Sequence, residues 1–278
     1  MLPHRSLARS FAAALALAPG CQPRADAGAP PSAVLTRADG AAGSTPSDPP
    51  EPDVPEPPEA LRQLEVPEFR AAWLVDPGGV APKPVLIAAH GAGDGPRFQC
   101  ELWRLIVAGR GFVLCPAGVP LDRDSGGYFF RNHHELEREV LAALAALQAE
   151  LGDRVASGPV VYTGYSQGAT MGALMLVGHA DVFSRVALIE GGERQWNVPI
   201  ARKFARAGGQ RVLFACGRRS CFTGAQRSAD WLEQAGIAAR VEHAAGAGHT
   251  YGGAVAERVA ASFDWLVEGD ERWLTRDR

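Results

Sequence analysis

From residue 84 onward, short apolar runs alternate with longer stretches in which apolar positions recur every three or four residues. Pro84 to Ala89 is continuously apolar, which predicts a strand covered on both faces. Residues 98–109 predict a helix with Leu102, Leu105, Ile106 and Ala108 turned inward. Gly111 to Cys115 predicts the next strand, broken by Pro116. A long loop rich in Gly, Asp and Arg then carries Tyr128, Phe129 and Phe130 to a helix over 134–151. Pro159 to Thr163 predicts a strand and Ala169 to Val177 a buried helix. Three further strands follow at Val186–Ile189, Arg211–Ala215 and Ala239–His243. They are separated by helices near 197–207 and 225–235 and followed by a last helix over 254–267. Upstream, Phe69 to Val75 predicts one more strand, turned by Pro77-Gly78-Gly79. Such alternation predicts a doubly wound, mainly parallel sheet in a three-layer α/β/α arrangement, with its chemistry at the carboxyl ends of the strands.

The pattern does not extend to the start of the chain. Residues 1–21 carry His4, Arg5 and Arg9, then the apolar run Phe11 to Ala18, the layout of an export signal and too short to span a membrane as a mature helix. Two processing routes are open. Cys21 after Ala18-Pro19-Gly20 resembles a bacterial lipoprotein site with lipidation at Cys21, although Pro19 departs from it. Ala25-Asp26-Ala27 offers ordinary signal cleavage. Residues 22–59 are Pro, Ala, Gly, Ser and acid, with almost nothing to bury, and predict a disordered tether. The remaining 60–278 is one domain with a sizeable core. The expected location is outside the bacterial cytoplasm: periplasmic, lipid-anchored to a membrane, or secreted.

The net charge of -3, without a basic stripe, argues against nucleic acid as a partner. Apart from Cys21, the chain has Cys100, Cys115, Cys216 and Cys221, an even number that suits export. Three pairings are open; Cys100–Cys115 and Cys216–Cys221 each flank adjacent predicted elements. Neither the Cys-x4-Cys spacing nor the nearby histidines suit a metal site, so no metal is expected.

Three features fall at strand ends. Gly164-Tyr165-Ser166-Gln167-Gly168 stands between a predicted strand and a predicted helix, where a serine is held in a tight turn with its hydroxyl exposed. His90-Gly91-Ala92-Gly93-Asp94 follows the 84–89 strand, and its glycines free backbone N–H groups to face a cavity. Gly246 to Gly253 follows the last predicted strand and carries His249, which can reach a serine hydroxyl as general base.

Together these motifs resemble the serine α/β-hydrolases, of carboxylesterase and acyl-protein thioesterase type, with an elbow like that of cutinases. The resemblance spans most of residues 69–267. It implies the α/β-hydrolase fold, Ser166 as nucleophile, His249 as base, the Ala92 and Gln167 amides as oxyanion donors, and no cofactor. It also implies an acid after the strand preceding the histidine strand. That stretch reads Cys216-Gly217-Arg218-Arg219-Ser220-Cys221 and contains no carboxylate. Three readings are open: Glu190 at the end of the previous strand, Asp230 within a helix, or a Ser–His pair with no acid. Glu190 is the choice here, because a buried strand delivering a carboxylate at its functional end is the expected arrangement.

The expected activity is hydrolysis of a small carboxylic ester or thioester through a Ser-His-acid triad and an acyl-enzyme. The alternatives are a weak or inactive binding protein, or a serine peptidase, on the same fold. Arg218 and Arg219 read as a solvated loop or as a recognition site for an anionic substrate. Tyr128, Phe129 and Phe130 line an acyl pocket or pack under their loop. His133 and His134 fall at a helix start, and Trp73, Trp103, Trp196 and Trp231 read as core or partly buried surface.

Overall fold

The computed structural model describes residues 61–122 and 126–274. The export segment 1–21 with Cys21, both cleavage routes and the tether 22–59 lie outside the described residues. In chain order the elements are β1 (Arg62–Leu64), β2 (Ala72–Val75), β3 (Val85–Ala89), α1 (Pro96–Val107), β4 (Phe112–Cys115), β5 (Val119–Pro120), β6 (Tyr128–Phe129) and α2 (His133–Leu151). They continue as β7 (Val161–Tyr165), α3 (Gln167–Leu176), β8 (Arg185–Ile189), α4 (Val198–Arg206), β9 (Arg211–Cys216), α5 (Arg219–Glu233), β10 (Ala238–His243) and α6 (Ala254–Val267).

Eight of these strands form one sheet in the order β1-β2-β4-β3-β7-β8-β9-β10. From β4 to β10 every neighbouring pair is parallel. At the other edge β1 and β2 run antiparallel, and β1 was absent from the sequence reading. Three residues are too few for a periodic signal. The pair β5–β6 forms a separate hairpin within the long loop.

The continuous apolar runs are explained by the layers. In β3, Leu86 and Ala88 belong to the core cluster that holds Trp103 of α1 and Val255 and Phe263 of α6, while Ile87 and Ala89 belong to the one that holds Leu136, Ala169, Phe204 and Leu232 of α2 to α5. A strand whose alternate side chains meet a helix layer on each side has no position left for a polar residue. Among the described residues no helix is long and apolar enough to cross a membrane.

Both disulfides join neighbouring elements, with the pairing Cys100–Cys115 and Cys216–Cys221. The first ties α1 to β4 on one face, and the second ties the end of β9 to the first turn of α5 on the other. Helix boundaries move where chain chemistry is not periodic. α1 begins at Pro96, since a proline without an N–H fits the first helical position, and ends at Ala108 in the left-handed region. α5 begins at Arg219, six residues before the apolar periodicity predicts, because its first turn lies inside the disulfide-closed loop.

Candidate active site

The strands β7, β8 and β9 end side by side, in the registers Tyr165↔Ile189 and Ile189↔Ala215. The next residues are Ser166, Glu190 and the Cys216-Gly217 turn. Their backbones are joined: the Ser166 N–H donates to Ile189 O at 2.9 Å, and the Glu190 N–H to Ala215 O at 2.9 Å. Both Ser166 and Glu190 leave their strands with positive φ, 50° and 52°. A non-glycine residue there costs about 1–3 kcal/mol, which the surrounding packing must offset.

The elbow around Ser166 is built on close approach. A methyl group on Gly168 would collide with the carbonyl oxygen of Ala89, and one on Gly164 would lie 2.5 Å from the Gly168 carbonyl carbon. Only glycine lets α3 start this close to β3 and β7. Ser166 itself stands at the N-terminal cap of α3 with its side chain free of any capping bond.

A chain of hydrogen bonds runs from the elbow into the interior. Ser166 Oγ lies 2.8 Å from His249 Nε2, and His249 Nδ1 lies 2.8 Å from Glu190 Oε2. The Glu190 side chain is fully buried, whereas that of His249 is 38% exposed. Burial alone would push the Glu190 carboxyl up. The Arg218 amide, the His249 ring, the Gly217 amide and the Arg218 guanidinium outweigh it and hold the group below its ordinary value. An ionised carboxylate can only accept, so Nδ1 carries the proton and Nε2 is left to accept from the serine hydroxyl.

The loop after β9 therefore has a part that the sequence reading missed. It supplies no acid; it holds one. The N–H groups of Gly217 and Arg218 donate to Glu190 Oε1 at 2.7 and 2.8 Å, and Arg218 Nε donates to Oε2 at 2.6 Å. Arg218 is thus neither an idle solvated side chain nor free to recognise an anion with all its donors. Arg219 remains exposed, and Asp230 lies exposed in α5 with no contact to His249.

The oxyanion candidates lie beside the elbow. A methyl on Gly91 would come within 3.3 Å of Ser166 Cβ, so the loop carrying Ala92 passes directly over the serine. Gln167 opens α3, and neither its N–H nor that of Ala92 has a backbone partner among the described residues. This loop is braced on several sides. His90 is buried, with Nδ1 2.8 Å from Gly91 O and Nε2 2.9 Å from Ala117 O, and stacks on Phe130 at 4.6 Å. Burial pulls the His90 ring below its ordinary value, against the raising effect of the two carbonyls. The Gly93 N–H donates to Tyr128 O and the Tyr128 N–H to Asp94 O, each at 2.8 Å, which joins the loop to the β5–β6 hairpin. Gln167 Oε1 accepts from Phe130 N at 2.8 Å. Tyr128 and Phe129 are half-buried, and Phe130 is buried against the His90 ring. His133 and His134 open α2, Trp103 and Trp196 are core, and Trp73 and Trp231 are half-buried.

A second brace, also unread in the sequence, holds the histidine loop. Tyr165 donates its hydroxyl to His249 O at 2.9 Å and packs on Tyr251 with ring centres 4.4 Å apart. Tyr251 in turn bonds to Asp94 of the loop that carries Ala92. Neither role leaves a periodic or motif signal beyond the tyrosines themselves.

Among the described residues, Glu190, Cys216 and Cys221 bring three ligand-type atoms within 4.8 Å of one another. Both sulfurs are spent in the disulfide, so no thiolate is available, and the carboxylate is already saturated with donors.

No protein-family model matches the chain, and no curated protein matches it. Solved structures do. Dienelactone hydrolase from Anabaena variabilis ATCC 29413 superposes with a TM-score of 0.56 at 16% identity, over 76% of this chain and 98% of that one. Esterase PE8 gives 0.52 at 19%, over 67% and 94%. An uncharacterized protein from Bacillus cereus ATCC 10987 gives 0.56 at 13%, over 68% of this chain but only 60% of that one, so this chain spans less than two-thirds of that relative's length. Identities this low speak to the fold, and they agree with the parallel sheet, the two helix layers and the strand-serine-helix turn described above: the chain has the α/β-hydrolase fold.

Proposed function

We propose that this protein is a serine hydrolase that cleaves carboxylic esters or thioesters. The observation that carries the reading is the unbroken hydrogen-bonded chain Ser166–His249–Glu190, with a buried carboxylate at its inner end. In this mechanism His249 Nε2 takes the Ser166 proton as Oγ attacks the substrate carbonyl. The developing oxyanion is received by the Ala92 and Gln167 N–H groups. The imidazolium, steadied by Glu190, then returns its proton to the leaving alkoxide or thiolate, and water releases the acyl group by the same steps.

The absence of a carboxylate after β9 favoured a protein that keeps the scaffold without turnover. Glu190 reaching His249 from β8 supports the hydrolase reading over that one. Two disulfides in the domain suit an oxidising compartment, and export from the cytoplasm is proposed on that ground together with the amino-terminal pattern.

The test is hydrolysis of p-nitrophenyl acetate and butyrate together with labelling by a fluorophosphonate. Turnover that disappears in Ser166→Ala, with the label on Ser166, is the expected result. A folded protein that neither turns over these esters nor labels at Ser166 would overturn the reading.

A further inference from the structure

Arg218 and His249 share one oxygen. Both donate to Glu190 Oε2, Arg218 Nε at 2.6 Å and His249 Nδ1 at 2.8 Å. The other oxygen is occupied by two backbone amides of the same turn. The turn has little freedom: the Cys216–Cys221 disulfide closes it, with Cα atoms 5.6 Å apart, and a methyl on Gly217 would strike the carbonyl oxygen of Gly248 in the histidine loop. The guanidinium therefore stands at a fixed place beside the acid, half in solvent, its side chain 48% exposed.

We propose that Arg218 is a positioning residue that, through the carboxylate it shares, sets how strongly Glu190 holds the protonated His249. A carboxylate that already neutralises a guanidinium stabilises an imidazolium less than one devoted to it. The fixed cation also repels the charge that forms on the ring. Both effects weaken the hold on the charged ring that forms as His249 takes the serine proton. The other titratable groups around this carboxylate are Tyr165 from β7 and, beyond it, Asp94 of the oxyanion loop and Tyr251 of the histidine loop. Among the described residues Arg218 supplies the one guanidinium in contact with Glu190. The inference rests on the proposed hydrolase reading for its consequence in turnover, but not for its effect on the ring.

The test is a charge series at one site: Arg218→Lys, Arg218→Gln and Arg218→Glu. The two backbone amides on Oε1 and the disulfide persist in all three. The His249 ring is titrated by NMR in the resting protein, and kcat/KM for p-nitrophenyl acetate is followed against pH. The ring's midpoint is expected to rise as positive charge is removed. The step is about half to one pH unit per charge, because solvent reaches Arg218. The acid limb of kcat/KM should move by the same amount, and Lys should stay closest to Arg. The comparison needs two folded members that differ in charge at this site, such as wild type against Arg218→Gln or Arg218→Lys against Arg218→Glu. Midpoints that agree within a fifth of a unit across the series would overturn the proposal, whatever the activity. A ring that follows the charge in a protein without esterase turnover would instead overturn the hydrolase reading and leave the role of Arg218 standing.

Discussion

The hydroxyl of Tyr165 donates to the backbone carbonyl of His249 across 2.9 Å, so the residue before the candidate nucleophile holds the loop that carries its base. Tyr165→Phe keeps the ring packed on Tyr251 and removes only this bond. Loss of one such bond costs about 1 kcal/mol. The expected outcome is a slightly lower melting temperature and a kcat roughly three- to tenfold lower, with KM little changed. A thermal melt and steady-state kinetics on a p-nitrophenyl ester check it.

Glu190 and Asp230 separate the readings of the acid. Glu190→Gln removes the charge that orients the protonated ring and places an amide against three N–H donors. Turnover is expected to fall by about three to four orders of magnitude. Asp230→Asn lies on an exposed helix face and is expected to leave turnover within twofold. Parallel kcat measurements on the two variants decide the matter.

The two disulfides differ in what they protect. In the chain-entropy account a 15-residue separation stabilises by about 3 kcal/mol and a 5-residue one by about 2 kcal/mol. Replacing Cys100 and Cys115 with serine is therefore expected to lower the denaturation midpoint more. Replacing Cys216 and Cys221 is expected to lower kcat more, because that bridge closes the turn holding Glu190. Urea unfolding and kinetics on the two double variants read the contrast.

The elbow leaves no room for a side chain at its second glycine. Gly168→Ala sets a methyl against the backbone oxygen of Ala89, which cannot turn away as a flexible side chain would. Overpacking of this kind costs about 1–3 kcal/mol and should also displace Ser166. The expected outcome is a destabilised protein whose residual activity is at least tenfold lower, measured by urea unfolding and ester hydrolysis.

Acid should unfold the domain from a known starting point. Glu190 and Asp270 are both held below their ordinary values of 4.5 and 3.8; in each, burial acts upward but is outweighed by hydrogen bonds, in Asp270 chiefly those from Arg272. A carboxyl depressed in the folded state contributes its full stability above the unfolded value and loses it as pH falls through the folded one. The urea midpoint is therefore expected to decline from about pH 4.5 downward. In Glu190→Gln the decline should be shallower.

The layers of the fold were legible because they rest on repetition. A strand such as Val85–Ala89, apolar at every position, can only be a covered strand, and a helix such as α2 declares itself over five turns. The serine and histidine were legible because each sits on a glycine-rich turn at a strand end. What was not legible depends on pairing across the sheet. Nothing local in Arg218 marks it as a partner of Glu190, 28 residues away, since the contact arises from the parallel register of β8 and β9. The β1 strand and the early start of α5 escaped for local reasons, one being too short for a period and the other beginning inside a disulfide-closed loop.

The side-by-side ends of β8 and β9 have a consequence for how such chains are recognised. What the imidazole needs is a negative charge at one point in space, and two adjacent strand ends can deliver it. The address of the acid along the chain is then exchangeable, while the address of its donors is not. A search keyed to an aspartate after β9 would discard this protein. A search for two successive amides that donate to a carboxylate at the end of β8 would keep it.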